Sequence, residues 1–427
     1  MALIGIVFVV LMVAGMPVAF ATGIAGFVFF MTTQGMPMSI GVQKIASMSQ
    51  SFPLLTVPFF VLAGHLMNES GITERLLKMS MVAVGWMSGG LAQVAIVLET
   101  FLGGVTGSST ADAAMEARIL GPSMIAQGYS KGFSAAVIAV GSLITALIPP
   151  SIGLILYGYV GNVSIGRLFL AGIIPGLLMA VVLMLTVYII AKRRKYVVAN
   201  ATKPTLKALW VAGWDAKWAL IFPVALLLAI RGGVFTPSEV GAFAVVYALF
   251  VGFVFHKELT LAKVWRAFAQ ASSDVGLIML IILMSGMVGY ATIYLQMPQQ
   301  LAGWLLSGIT DPNMIVLVIL VFLLVAGLAL DSTVMVLLLT PIFVPIIQQV
   351  GMDPVHFGIL MMAIVTLGGM TWPSGSAMFA VCALMNVSIE EYSIESIPFI
   401  AAVVALIAVL VFLPDVVLWL PRMAFGS

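Results

Sequence analysis

The sequence predicts an all-α polytopic membrane protein made of two inverted copies of one helical repeat, each copy holding a re-entrant hairpin and a broken transmembrane helix. Three observations lead there. The chain is apolar almost throughout, its polar, Gly and Pro positions recur at one fixed spacing, and helix-breaking residues fall inside its apolar blocks.

Hydrophobic residues make up 62% of the 427 and charged residues 8%, against about 25% charged in a soluble domain. Roughly 20 apolar residues span a bilayer core as helix, and a lipid-exposed backbone must satisfy its own hydrogen bonds. The apolar runs are continuous rather than alternating, which argues against an outer-membrane barrel. The lone Cys382 excludes an intrachain disulfide and a Cys-rich metal site. A net charge of +2 says little about partners, and no basic cluster points to nucleic acid. No GxxxxGK[ST] phosphate loop is present, so membrane transport work would draw on an ion gradient or a partner. The first apolar stretch lacks a basic leader and is too long for a cleaved signal peptide.

Spans are expected over 3–33, 51–68, 130–163, 167–191, 215–231, 236–256, 274–296, 355–388 and 396–420. Gly15-Met16-Pro17 breaks the first of these, so it crosses once or twice. The amphipathic segments 71–86 and 298–308 read as helices lying at the interface. Lys192, Arg193, Arg194, Lys195, Lys203 and Lys207 mark a basic loop, which places 192–214 as a cytoplasmic linker between halves 1–191 and 215–427.

The halves repeat at a spacing of 223 residues. Ser109-Thr110 in GSSTADA matches Ser332-Thr333 in LDSTVMV, and Pro122, Gly128 and Pro150-Ser151 match Pro345, Gly351 and Pro373-Ser374. Asn162 to Ile165 match Asn386 to Ile389 after one inserted residue. Weak internal symmetry of this kind marks transporter folds. With the basic loops on one side, 51–68 and 274–296 run in opposite directions, so the repeat is inverted.

Blocks 90–127 and 313–350 are each apolar, then polar, then helix-capable. They read as re-entrant hairpins with tips at Gly107–Thr110 and Asp331–Thr333, because Ser, Thr and Asp prefer helix N-caps and a break at membrane depth must line a cavity or be buried. The broken helices 130–163 and 355–388 part at Ile148-Pro149-Pro150-Ser151 and Thr371-Trp372-Pro373-Ser374-Gly375. Unwound carbonyls suit Na⁺ and half-helix N-termini suit anions.

GSSTADA, PFFVLAGHLMNESGI and TPIFVPIIQQVGMDPVHFGI resemble the large membrane subunit, DctM/SiaM type, of tripartite ATP-independent periplasmic (TRAP) transporters, and the resemblance covers essentially the whole chain. It implies an elevator mechanism, Na⁺-coupled uptake of an organic acid, a small four-helix membrane partner, a periplasmic substrate-binding protein and a multi-pass place in the bacterial inner membrane. It assigns Ser109, Thr110, Pro150, Ser151, Asp331, Ser332, Thr333, Thr371, Pro373 and Gly375 to Na⁺. Ser108, Ser109, Thr110, Arg118, Ser151, Trp372 and Ser374 are the substrate candidates. The indole of Trp372 departs from the family's Pro-Pro-Val-Gly loop, where it would narrow the site or stack on the solute.

Charges at membrane depth are expensive. Asp331 suits an N-cap or an ion ligand. Asp112 and Glu116 share a helix face, while Arg118 is offset and open to pairing with Glu99 or to meeting a solute carboxylate. His65, His256 and His356 form no metal spacing. An ion-only Na⁺/H⁺ antiporter and a carboxylate symporter without a binding protein are the alternative transporters. An intramembrane enzyme is disfavoured by the lack of HExxH or a Ser/His or Asp/Asp pair on spans.

Overall fold

The structure, a computed structural model, describes residues 2–196, 203–309, 311–373 and 375–426, and no strand occurs among them. Five of the described helices are long and apolar enough to cross a membrane, and up to seven spans result if each of two bent pairs counts as one.

The first half opens with α1 (Ala2–Val13) and α2 (Val18–Thr32), which part at the Gly15-Met16-Pro17 break. Ile4 of α1 is buried in one cluster with Phe29 and Phe30 at the far end of α2, so α1 folds back along it. Next come α3 (Met38–Ser49), a 3-10 turn (Phe52–Leu55) and α4 (Thr56–Glu69), a pair bent by 53°. The surface helix α5 (Ile72–Val84) precedes the first hairpin, made of α6 (Gly90–Gly103), α7 (Ser109–Ile119) and the short α8 (Gly121–Ala126). The first broken helix is α9 (Lys131–Gly141), extended by a 3-10 turn to Ala146, then α10 (Ile152–Val160), and α11 (Ile165–Arg194) closes the half.

The second half begins with α12 (Leu206–Asp215) and α13 (Lys217–Arg231), bent by 67°, then α14 (Pro237–Phe250), which runs on into a π turn (Val251–Phe255). It continues through α15 (Leu261–Tyr294), α16 (Met297–Gly308), the hairpin α17 (Pro312–Gly327) and α18 (Ser332–Gln349), the broken helix α19 (Pro354–Gly368) and α20 (Ser376–Met385), and ends in α21 (Ile389–Val411) and α22 (Pro414–Phe425).

A shift of 223 residues lays α5, α6, α7, α9 and α10 onto α16, α17, α18, α19 and α20, and lays the pair α3 and α4 onto α15. The packing repeats as well. Helix α2 packs on α15 as α14 packs on α4, α7 meets α20 as α18 meets α10, and α9 meets α21 as α19 meets α11. The inversion is visible where the counterparts α4 and α15 touch. Glu69, at the end of α4, lies against the start of α15, with Arg266 Nη1 at 3.7 Å and Lys263 Nζ donating to its carbonyl. His65, one turn earlier in α4, meets Asp274 farther along α15 at 2.8 Å. The two helices therefore run antiparallel.

Local chemistry accounts for the breaks. Ser130, Ser151, Ser164, Asp331, Asp353 and Ser388 each accept a backbone N–H in the first turn of the helix they open. Such caps satisfy donors that have no partner within the helix. The broken helices form the centre, and every residue from Val355 to Gly368 is buried.

Four expectations differ in extent from the structure. Helix α3 is additional, and its mixed face with Gln43 and Lys44 concealed it from an apolar-run search. Helix α15 starts at Leu261 rather than 274 because its first turns are amphipathic. The expected last span divides at Leu413, where Pro414 opens a new helix. The segment 192–214 contains most of α12, whose Trp210 and Trp214 are exposed and stacked, as suits a membrane–water interface.

Candidate binding site between the hairpin tips

The two hairpin tips converge on one cavity of about 100 Å³. Gly107, Ser108, Ser109 and Thr110 of the first tip line it, as do Asp331, Ser332 and Thr333 of the second. Ser151 and the start of α10 supply a third wall, and Met362 and Thr366 of α19 a fourth. Ile278 of α15 also faces it, so the cavity touches a helix outside the hairpin-and-broken-helix body.

The tips are shaped by their caps and by contact with the broken helices. Asp331 Oδ1 accepts from Thr333 N at 2.9 Å and opens α18. Ser108 precedes α7 without a side-chain capping bond. Gly107 sits at φ +69° against the Pro150 carbonyl, and its own carbonyl accepts from Ile152 N at 3.4 Å. Ser151 Oγ donates to Ala146 O at 2.7 Å and accepts from Leu154 N. Thr110 Oγ1 lies 3.5 Å from Ser376 Oγ at the start of α20. The peptide bonds Pro149-Pro150 and Trp372-Pro373, at repeat-equivalent places, are both cis.

Three helices of nine or more residues, α7, α10 and α18, thus begin at the cavity. Their free N–H groups and dipoles present partial positive charge there. No Lys or Arg lines it among the described residues. Thr366 Oγ1 is buried on the wall and has no hydrogen-bond partner among the described residues. An unpaired hydroxyl on the same cavity as Asp331 and five hydroxyl-bearing tip residues, Ser108, Ser109, Thr110, Ser332 and Thr333, is a donor set that suits Na⁺, a hard cation with a preference for oxygen ligands.

The other sequence candidates lie elsewhere. Pro150 backs the first tip through its carbonyl. Thr371 is buried and donates to Gly368 O, while Gly375 N donates to Thr371 O, so this loop is folded on itself. Trp372, 62% exposed, and Pro373 face outward and do not line the cavity. Ser374 lies outside the described residues. Arg118 is exposed, lines no part of the cavity and makes no ion pair with Glu99. Thr366, Met362 and Ile278 went unnoticed in the sequence, where single residues inside apolar helices give no signal. A clue existed for Thr366, which lies five residues before Thr371 in the same broken helix.

A polar cavity closed by two hairpin tips in an inverted-repeat, all-helical membrane protein defines a membrane transport permease. The chain belongs to the family described as "Tripartite ATP-independent periplasmic transporter, DctM component", whose model matches residues 5–416. It is 32% identical over 404 residues to the 2,3-diketo-L-gulonate TRAP transporter large permease protein YiaN of Escherichia coli, covering 95% of each chain. It is 33% identical to the sialic acid TRAP transporter large permease protein SiaM of Vibrio cholerae, covering 97% of each. It is also 33% identical to the isethionate TRAP transporter permease protein DctMQ of Oleidesulfovibrio alaskensis, covering 96% of this chain and 64% of that one. In fold it is similar to the YdaH transporter of Alcanivorax borkumensis, with a TM-score of 0.63 at 13% identity, over 90% of this chain and 87% of that chain.

Proposed function

We propose that this chain is the large permease subunit of a Na⁺-coupled importer in the bacterial inner membrane, taking an organic acid from a periplasmic binding protein with the help of a small membrane subunit. The observation that carries the reading is the single cavity shared by both tips and the first broken-helix loop. The acid's carboxylate faces the N-termini of α7, α10 and α18, and Na⁺ supplies the remaining positive charge in a cavity without Lys or Arg among the described residues. Na⁺ also gives the tip hydroxyls and Thr366 Oγ1 a partner, since unpaired polar groups are costly to bury. Ion binding therefore organises the site before the acid closes it.

The movement proposed is an elevator. Hairpins α6–α8 and α17–α18 travel with broken helices α9–α10 and α19–α20 as one body, while α2, α4, α14 and α15 form the frame. The reading is supported by Ile278 of α15, a frame helix, lining the cavity beside residues of the moving body, since sliding at such a seam would change access. The homology of the curated relatives to organic-acid permeases supports a carboxylate or a sulfonate as cargo.

The test is uptake of labelled organic acids into proteoliposomes holding the permease with its small subunit and binding protein, as Na⁺ is varied. Ser109→Ala and Ser332→Ala should each raise the Na⁺ needed for half-maximal uptake by about tenfold, equivalent to about 1.4 kcal/mol of ion binding. Na⁺ activation unchanged in both variants defeats the assignment.

A further inference from the structure

Outside the cavity, the first hairpin contains three acids with no counterpart in the second. Glu99 on α6, with Asp112 and Glu116 on α7, occupy the space between the arms, and each is buried. A shift of 223 residues puts Phe322, Met335 and Leu339 at these positions. The second hairpin therefore forms the same architecture with apolar residues at these places.

Their surroundings are specific. Asp112 accepts from Thr106 Oγ1, the residue before Gly107, and Thr145 of the first broken helix also faces it. Glu99 and Glu116 face each other within hydrogen-bonding reach. All four of their carboxyl oxygens nevertheless lack a donor. Two carboxylates are acceptors only, so neither can satisfy the other.

No Lys, Arg or His among the described residues forms an ion pair with any of the three within 4.0 Å. On the helices packed around the hairpin, Arg75 pairs with Glu258, Lys78 with Glu74, Arg167 with Asp353 and Arg194 with Glu395. Arg118 and Lys131 point outward. The three acids also form no group able to hold a metal ion among the described residues. A buried carboxyl pair without a cation is satisfied when one member carries a hydrogen and donates to the other.

We infer that Glu99 and Glu116 form a proton-binding site inside the first hairpin, sharing one proton between its arms and releasing it as the hairpin opens. The proton bridges the arms while it is held. Its loss leaves two facing carboxylates whose repulsion spreads the arms. Asp112, one turn from Glu116 and bonded to Thr106, passes that strain to the tip that lines the cavity. The permease thus carries or senses protons through a device distinct from the tip hydroxyls. Its ligand is the proton itself, with no co-reactant.

Infrared spectra of the reconstituted protein, recorded across a pH series, test this directly and need neither substrate nor partner. Wild type should show the carbonyl stretch of a protonated carboxylic acid, lost or shifted in Glu99→Gln and absent from Glu99→Gln/Glu116→Gln. The single Gln keeps a donor toward Glu116 and mimics the bridged state, so the variant should fold. In vesicles loaded with a pH dye, wild-type uptake should change internal pH and vary with external pH, and Glu99→Gln uptake should lose at least about tenfold of that pH dependence. A wild-type spectrum without a band sensitive to either substitution overturns the inference, as does an unchanged pH profile in Glu99→Gln. Should neither variant fold, dye-reported proton movement by wild type decides: an uptake that moves no protons and ignores pH overturns it, even where Na⁺-driven uptake persists.

Discussion

Gly368 of α19 crosses Gly327 of α17 so closely that a Cβ on Gly368 would lie 2.6 Å from the Gly327 carbonyl oxygen. The second hairpin thus rests on the second broken helix backbone to backbone. Small residues permit such approaches in membranes, where packing replaces the hydrophobic effect between helices. The first half has the related crossing, Gly103 against Thr145 and Ile148, at 3.0 Å for an added Cβ.

Gly368→Ala should therefore separate α17 from α19. Overpacking costs about 1–3 kcal/mol in well-packed interiors, and the obstacle here is a main-chain oxygen that cannot swing away. The variant's unfolding midpoint in detergent should drop by several degrees. An unchanged midpoint would mean that the crossing is looser than the structure describes.

The first tip depends on Gly107 for two reasons. Its φ of +69° disfavours any residue with a Cβ, and an added Cβ would lie 2.3 Å from the Pro150 carbonyl oxygen. Left-handed backbone alone costs about 1–2 kcal/mol in a residue other than Gly. Gly107→Ala should displace the tip from the loop, lower uptake at least about tenfold and weaken Na⁺ activation. Uptake kinetics at varied Na⁺ measure both effects.

Tyr392 of α21 is fully buried, and its hydroxyl donates to Met370 O at 2.7 Å, inside the second broken-helix loop. Tyr157 makes the related bond to Pro354 O at the start of the same broken helix, also at 2.7 Å. Tyr392→Phe leaves the Met370 carbonyl without that donor at a cost of about 1–3 kcal/mol. Its thermal midpoint should fall while its expression stays near wild type. A midpoint equal to wild type would show that the loop draws no support from this bond.

The repeat was legible because polar, Gly and Pro residues survive in an apolar chain only at places that demand them. The tips were legible for a related reason: Ser109, Asp331 and Thr333 mark helix starts, and a helix start in mid-membrane implies a break. Thr366 was not legible, since one Thr within an apolar helix reads as packing until the helix path is known. The pairing of Glu99 with Glu116 depended equally on three dimensions. Sequence spacing left Arg118 open as the partner of Glu99, but Arg118 lies two residues past Glu116, about 200° around the helix, and points outward. Helix α3 was hidden by Gln43 and Lys44, and its counterpart, the first third of α15, was hidden by an equally mixed face, so extending the repeat backwards gave no apolar run to match.

His256 lies just beyond the π turn that ends α14, past the apolar helix that stops at Phe255 rather than 256, and is one source of pH dependence. Its Nδ1 lies 2.8 Å from the Ser70 carbonyl, an acceptor, so Nδ1 carries the hydrogen, and its buried Nε2 has no partner among the described residues. Burial pulls the imidazole below its ordinary value of 6.5, against the Ser70 carbonyl and the acids Glu258 and Asp215, with Arg75 adding to the depression. The unfolded chain then takes up a proton at a higher pH than the folded one. The contribution is flat above pH 6.5, and stability is lost as pH falls from there through the lower folded value. His256→Asn keeps a donor at the Nδ1 position for Ser70 and removes the titration. Thermal midpoints measured between neutral and mildly acidic pH should fall less steeply in this variant than in wild type. Parallel slopes would assign the acid sensitivity to another group.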